Sequence, residues 1–122
     1  MATRELQATV RDRDGTAVVD LRGDIDRSAD ERLAQAYTDA TAGGGARSVV
    51  LNFEHTEYIN STGIALIVGL LAQARTQGVH MSACGLSDHY REIFEITRLA
   101  DFMTITDSED GAVRAADGSS DA

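Results

Sequence analysis

Ser61 and Thr62 are the residues whose type and setting best suit chemistry. They follow Asn60, at the point where a short loop after the apolar run 48–53 gives way to a helical pattern. A serine here can act as a nucleophile, and Asn60 or Ser61 can equally cap the helix by accepting a backbone N–H. The capping role explains why a helix begins here, but not the composition of that helix.

A hydrolase dependent on Ser61 is the catalytic alternative, and the sequence gives it little support. Ser61 lacks the G-x-S-x-G turn that exposes a nucleophile above a sheet, and the nearest histidine in sequence is His55, in the preceding segment. Asp24 and Asp26 are spaced as a carboxylate pair, but turn and capping roles explain both more simply. We therefore expect no enzymatic activity.

The other residues that could hold a ligand lack the necessary spacing. His55, His80 and His89 form no metal-binding pattern, and the single cysteine, Cys84, has no thiol partner. Gly43-Gly44-Gly45 follows a helical pattern and leads into a strand, whereas a phosphate loop joins a strand to a helix. We expect no metal and no cofactor, a buried Cys84, and a flexible helix stop at the three glycines.

Composition restricts the class of protein further. The 122 residues carry 11 basic and 20 acidic side chains, a net charge of −9, and 43% of them are hydrophobic. These values fit one globular domain, which we place at residues 1–116 with a disordered tail at 117–122. The acidity argues against direct binding to nucleic acid. The start of the chain resembles no signal peptide, and the longest apolar run, 64–72, is under half of the roughly 20 residues that cross a bilayer, so a cytoplasmic protein without a transmembrane segment is expected.

The elements that position Ser61 can be predicted from local patterns. Asp14-Gly15 between two short β-prone runs predicts a hairpin, and Ser28-x-x-Glu31 has the form of a capping box that starts the first helix. A strand over 48–53, a helix from about Ser61 to Gln77 and further alternating segments give the order β-β-α-β-α-β-α-β-α. The predicted fold class is therefore α/β, with a mixed, mostly parallel sheet.

The helix after Ser61 is apolar nearly all the way round. Ile64, Ile67, Val68 and Leu71 form a stripe that suits a sheet, whereas Leu66 and Leu70 fall beside small residues. Such a helix is either deeply buried or docked on something else. An exposed apolar patch beside a hydroxyl predicts a protein-docking site, and the alternative is that another helix covers it.

Taken together, segments along nearly the whole chain resemble the STAS domain, and specifically the single-domain anti-sigma factor antagonists of bacteria. The segments that carry the resemblance are Leu21-Arg22-Gly23-Asp24-Ile25-Asp26, Val49-Val50-Leu51-Asn52-Phe53, Ile59-Asn60-Ser61-Thr62-Gly63-Ile64, Gly78-Val79, Cys84-Gly85-Leu86-Ser87 and Leu99-Ala100-Asp101-Phe102-Met103-Thr104-Ile105.

This resemblance implies a phosphorylation-controlled binding protein. Ser61, or alternatively Thr62, is expected to be phosphorylated by an anti-sigma factor with a kinase-like ATPase domain, which breaks the complex between the two proteins. A PP2C-type phosphatase resets the switch. The expected partner-binding residues are Asp24, Asp26, Asn60, Ser61, Thr62, Gly63, Ile64 and Leu66.

Three positions depart from the pattern of the family it resembles. Asn60 and Asn52 stand where Asp is frequent, and Arg98 stands where glycine is common before Leu99. Within the same family the alternative is a STAS subunit that is never phosphorylated and serves a scaffold or a lipid-transport complex. The sequence leaves the oligomeric state open.

Overall fold

The computed structural model describes residues 4–42 and 46–119. Five strands alternate with four helices in the predicted order: β1 (Gln7–Arg13), β2 (Thr16–Ile25), α1 (Asp30–Thr41), β3 (Ser48–Ile59), α2 (Ser61–Gln77), β4 (His80–Cys84), α3 (Asp88–Ile96), β5 (Thr104–Thr106) and α4 (Glu109–Ser119). The predicted helix stop at 43–45 lies outside the described residues. Helix α4 continues past the predicted start of the tail at Asp117, and 120–122 are also outside.

The strands form one sheet in the order β1-β2-β3-β4-β5, with β1 and β2 antiparallel and all other pairs parallel. Asp14 and Gly15 both have positive φ, at 53° and 88°, as the two central residues of a tight hairpin turn require. The predicted α/β fold with a mostly parallel sheet is confirmed.

Two apolar clusters hold the layers together. The main core lies between the sheet and α1, α2 and α3, and it includes Phe53 and Phe94, whose rings meet edge to face at 5.8 Å. On the other face of the sheet a smaller cluster joins Val18, Val50 and Cys84 to Ala112 and Val113 of α4. Cys84 is buried there, as predicted, and burial raises the pKa of its thiol to about 11.

The start of α1 differs from the prediction. Asp26, not Ser28, caps this region: its carboxylate accepts hydrogen bonds from the backbone N–H of Ser28 (2.9 Å) and from the Ser28 hydroxyl (2.6 Å). A single 3-10 turn over Arg27–Ala29 follows, and α1 begins at Asp30. The serine predicted to accept a hydrogen bond at the cap therefore donates one to the aspartate two residues before it.

Strand β3 is also longer than predicted, because the polar residues 54–57 are strand and not loop. They pair with β2 beyond the end of β4, where the sheet is narrow and polar side chains remain in water. The register shifts between the Asp20–Asn52 and Arg22–His55 pairs, and the Asn52 side chain accepts the N–H of Glu54 at 3.1 Å within this irregularity. The extension carries the chain directly to Asn60 and α2.

Candidate functional site

The N-terminus of α2 is fixed to the ends of β2 and β3 by Asn60. The backbone N–H of Asn60 donates to the carbonyl oxygen of Ile25 at 3.2 Å, and its side-chain oxygen accepts the N–H of Gly63 at 2.8 Å. Asn60 is thus the helix cap, one of the two residues that the sequence offered for that role. Gly78, with φ of 71°, ends the helix where predicted.

Gly63 allows α2 to approach β2 more closely than any residue with a side chain would at this position. A Cβ atom at this position would lie 2.1 Å from the carbonyl oxygen of Ile25. Gly63 is buried and faces the sheet, so it holds the helix in place and cannot contact a partner directly. The structure gives Gly63 a positioning role, and its place in the partner-binding set stays a prediction.

Ser61 and Thr62 occupy the first turn of α2 and are exposed. Within the part of the chain that the structure describes, neither hydroxyl has a hydrogen-bond partner, and no histidine contacts Ser61. The geometry of an activated nucleophile is absent at this place in the described chain. The same exposure leaves both hydroxyls accessible to another protein.

One face of α2 continues outward from Ser61. Residues 61, 65, 68 and 72 follow the spacing that puts side chains on one side of a helix, and all four are exposed. Val68 is 46% exposed, although the sequence placed it in the stripe facing the sheet; Leu70 is buried in its stead. This exposed face, Ser61-Ala65-Val68-Ala72, is hereafter the α2 face.

The remaining predicted contact residues divide between the surface and the core. Ile64 and Leu66 are half-buried and pack against the main core, so only part of each side chain is available. Asp24 is also half-buried, and its carboxylate accepts the backbone N–H of Arg4 at 3.2 Å. Asp24 therefore anchors the N-terminal segment in the free chain.

Asp26 lies beside the N-terminus of α2. Asp26, Arg27, Ser28 and Asn60 line one shallow depression. Asp26 is one of the predicted partner-binding residues, and in the free chain one oxygen of its carboxylate accepts both hydrogen bonds from Ser28. Arg27, which the sequence analysis missed, is the exposed cation of this depression. Its only sequence signal is a basic residue within an acidic stretch.

Asn52 is explained by its neighbours on the face of the sheet that α4 covers. Its side-chain N–H donates to one oxygen of Asp20 at 2.9 Å, and Arg11 donates to both oxygens of that carboxylate, at 2.6 and 3.0 Å. The Arg11 guanidinium, more than the Asn52 amide, lowers the pKa of Asp20. An aspartate at position 52 would place two carboxylates together, so this departure from the pattern is structural.

No group of acidic, histidine or cysteine side chains suited to a metal ion occurs among the described residues. No helix within the described ranges is long and apolar enough to cross a membrane. Neither observation identifies a ligand for this chain.

Comparison with known proteins relates the chain to one family. A family model described as the STAS domain matches residues 7–112. BtrV of Bordetella bronchiseptica, named as an anti-sigma factor antagonist, is 29% identical over 102 residues, which cover 84% of this chain and 87% of BtrV. The anti-sigma-B factor antagonist of Staphylococcus aureus is 35% identical over 63 residues, covering 52% of this chain and 58% of that protein.

Among solved structures, the phosphorylated form of the Bacillus cell fate determinant SpoIIAA superposes with a TM-score of 0.68. The two share 21% identity, and the match covers 90% of this chain and 99% of SpoIIAA. A likeness at that identity concerns the fold alone.

Proposed function

The chain belongs to the STAS domain family, and on that premise we propose that it is an anti-sigma factor antagonist whose binding is controlled by phosphorylation of Ser61. The observation that carries the proposal is the exposed hydroxyl of Ser61 at the start of the exposed apolar α2 face. The relatives named as antagonists support the class of partner.

In the unphosphorylated state the α2 face offers a flat apolar contact. Ala65 and Ala72 leave room for close approach of a partner helix, and Val68 supplies an apolar side chain already exposed to water. Covering these residues removes apolar surface from water, which favours association. The partner we propose is an anti-sigma factor carrying a kinase-like ATPase domain.

Phosphorylation adds about −1.5 to −2 charges at the edge of that contact. Free N–H groups in the first turn of α2 accommodate the charge in the free chain, so the fold need not change. In the complex the same phosphate would be desolvated, and a penalty of about 4 kcal/mol would weaken binding roughly a thousandfold. A PP2C-type phosphatase would restore the binding state.

Thr62 is the alternative acceptor, because it is as exposed as Ser61. Ser61 is seven residues before Val68 and so lies on the α2 face, whereas Thr62 does not share that spacing and points to one side of the face. This placement favours Ser61 as the position where a phosphate interferes most with docking. A never-phosphorylated scaffold or lipid-transport subunit is not favoured by the relatives, and catalysis by Ser61 has no supporting geometry.

The test compares Ser61→Ala with Ser61→Glu for binding to the cognate anti-sigma factor by calorimetry. We expect Ser61→Ala to bind like the parent chain and Ser61→Glu to bind at least a hundredfold more weakly. Thr38→Glu, which places the same charge on an exposed position of α1, is the matched control and should bind normally. Equal affinity of Ser61→Ala and Ser61→Glu would refute the switch.

A further inference from the structure

The depression beside Ser61 contains hydrogen-bond donors that nothing in the described chain uses. It is lined by Asp26, Arg27, Ser28 and Asn60. Within residues 4–42 and 46–119, the Arg27 guanidinium makes no ion pair and no hydrogen bond. The side-chain nitrogen of Asn60 is likewise without a described partner, because the cap commits only the side-chain oxygen to Gly63.

Ser28 donates both its N–H and its hydroxyl to one oxygen, Oδ1, of the Asp26 carboxylate. The second oxygen of that carboxylate has no hydrogen-bond partner among the described residues, and it offers a phosphate no donor. The donors of the depression are the Arg27 guanidinium and the side-chain amide of Asn60, the residue directly before Ser61. Guanidinium and amide N–H groups bind the oxygens of a phosphate monoester through charge-assisted hydrogen bonds.

The identity of residue 60 decides whether the side chain before Ser61 attracts or repels a phosphate. The cap fixes the orientation of the Asn60 side chain: its oxygen must face Gly63, so its NH₂ group faces away from the helix. An aspartate would cap the helix equally well but would present a carboxylate oxygen where Asn60 presents N–H donors. With Asn60, the neighbour of Ser61 attracts a phosphate that an aspartate would repel.

We propose that Arg27 and the side-chain amide of Asn60 bind the phosphate on Ser61 within the free chain. The phosphorylated state is then held by the chain's own donors, which keep the phosphate at the start of the α2 face without any change of fold. This inference rests on the proposed phosphorylation of Ser61, and its test installs the phosphate independently of any kinase.

The experiment incorporates phosphoserine at position 61 of the full chain during synthesis and follows the phosphate by ³¹P NMR against pH. Binding by Arg27 stabilises the doubly charged form of the phosphate. Removing this cation must therefore raise the pH at the midpoint of the phosphate titration. We expect Arg27→Ala to raise it by about 0.5 pH, since an exposed charge pair is partly screened by solvent. Asn60→Asp, which keeps the cap, should raise it by a similar or larger amount.

Arg47→Ala is the matched control, because Arg47 is an exposed arginine before the opposite end of β3. That strand spans Ser48–Ile59, so Arg47 lies roughly 35 Å away along it. The control should leave the midpoint unchanged. The inference is overturned if Arg27→Ala and Arg47→Ala titrate alike. Equal titration of these two variants would not affect the proposed control of partner binding by phosphorylation. Conversely, if Ser61→Glu does not lose binding, that control is refuted, but the titration still shows whether Arg27 binds the phosphate.

Discussion

Replacing Gly63 with alanine is expected to destabilise the chain, although alanine is the better helix former. The added Cβ would lie 2.1 Å from the carbonyl oxygen of Ile25, a separation that real Cβ atoms do not show. The first turn of α2 must move outward by about 0.9 Å to restore a 3.0 Å contact. That movement stretches the 3.2 Å hydrogen bond from Asn60 to the same oxygen.

The magnitude follows from two opposing effects. Overpacking and a weakened hydrogen bond together cost about 2–4 kcal/mol. Alanine in place of glycine inside a helix contributes about 1 kcal/mol in the other direction. The expected net effect of Gly63→Ala is therefore a loss of about 1–3 kcal/mol in the free energy of unfolding.

Gly69 provides the control on the same helix. A Cβ at Gly69 has no atom within 4 Å, so only the gain in helix propensity remains. Gly69→Ala should raise the free energy of unfolding by about 0.5–1 kcal/mol. Urea unfolding of both variants measures the difference. If Gly63→Ala is as stable as Gly69→Ala, the close approach of α2 to Ile25 does not exist and the positioning role of Gly63 is wrong.

Two further predictions concern other parts of the fold. Arg98 has a φ of 68°, a left-handed conformation that strains a side chain. Arg98→Gly should therefore raise the free energy of unfolding by about 1 kcal/mol, even though it removes the exposed ion pair with Asp101. A lower free energy of unfolding in urea would contradict this prediction. Arg11 and Arg13 lower the pKa of Glu109, so its ion pairs stabilise the fold above the ordinary carboxyl pKa and are lost as the pH falls through the lowered value. Thermal melts should therefore show a shallower acid loss of stability in Glu109→Gln than in the parent chain, and parallel curves would contradict the role of these pairs.

The sequence predicted those features that depend on neighbouring residues alone. Asp14-Gly15 predicts its turn because few residue pairs accept two positive φ angles. Asn60 and Gly78 delimit α2 for the same kind of reason, one by its side-chain oxygen and the other by its left-handed backbone. Each signal acts within three or four residues, so no tertiary contact can overrule it easily.

Features that depend on tertiary contacts were harder to predict. The rotation of α2 is set by the contact of Gly63 with Ile25, which puts Gly63, Ile67, Leu70 and Ala74 inward and turns Val68 to the surface. Hydrophobicity could not choose between these stripes, since both are apolar. The strand character of 54–57 depends on β2 extending beyond β4, a property of the sheet and not of those polar residues.

The N-terminus of α2 separates the residues that hold the fold from those that we propose contact a partner. Asn60 and Gly63 direct their contacts inward to Ile25 and to the helix itself, while Ser61 and Thr62 between them are exposed. A phosphate on Ser61 can therefore change the charge of the surface without changing a single internal contact. The two effects are separable by experiment: Ser61→Glu should alter affinity at constant stability, whereas Gly63→Ala should alter stability first. A Ser61→Glu variant that lost binding only because it unfolded would place the switch in the fold and contradict this separation.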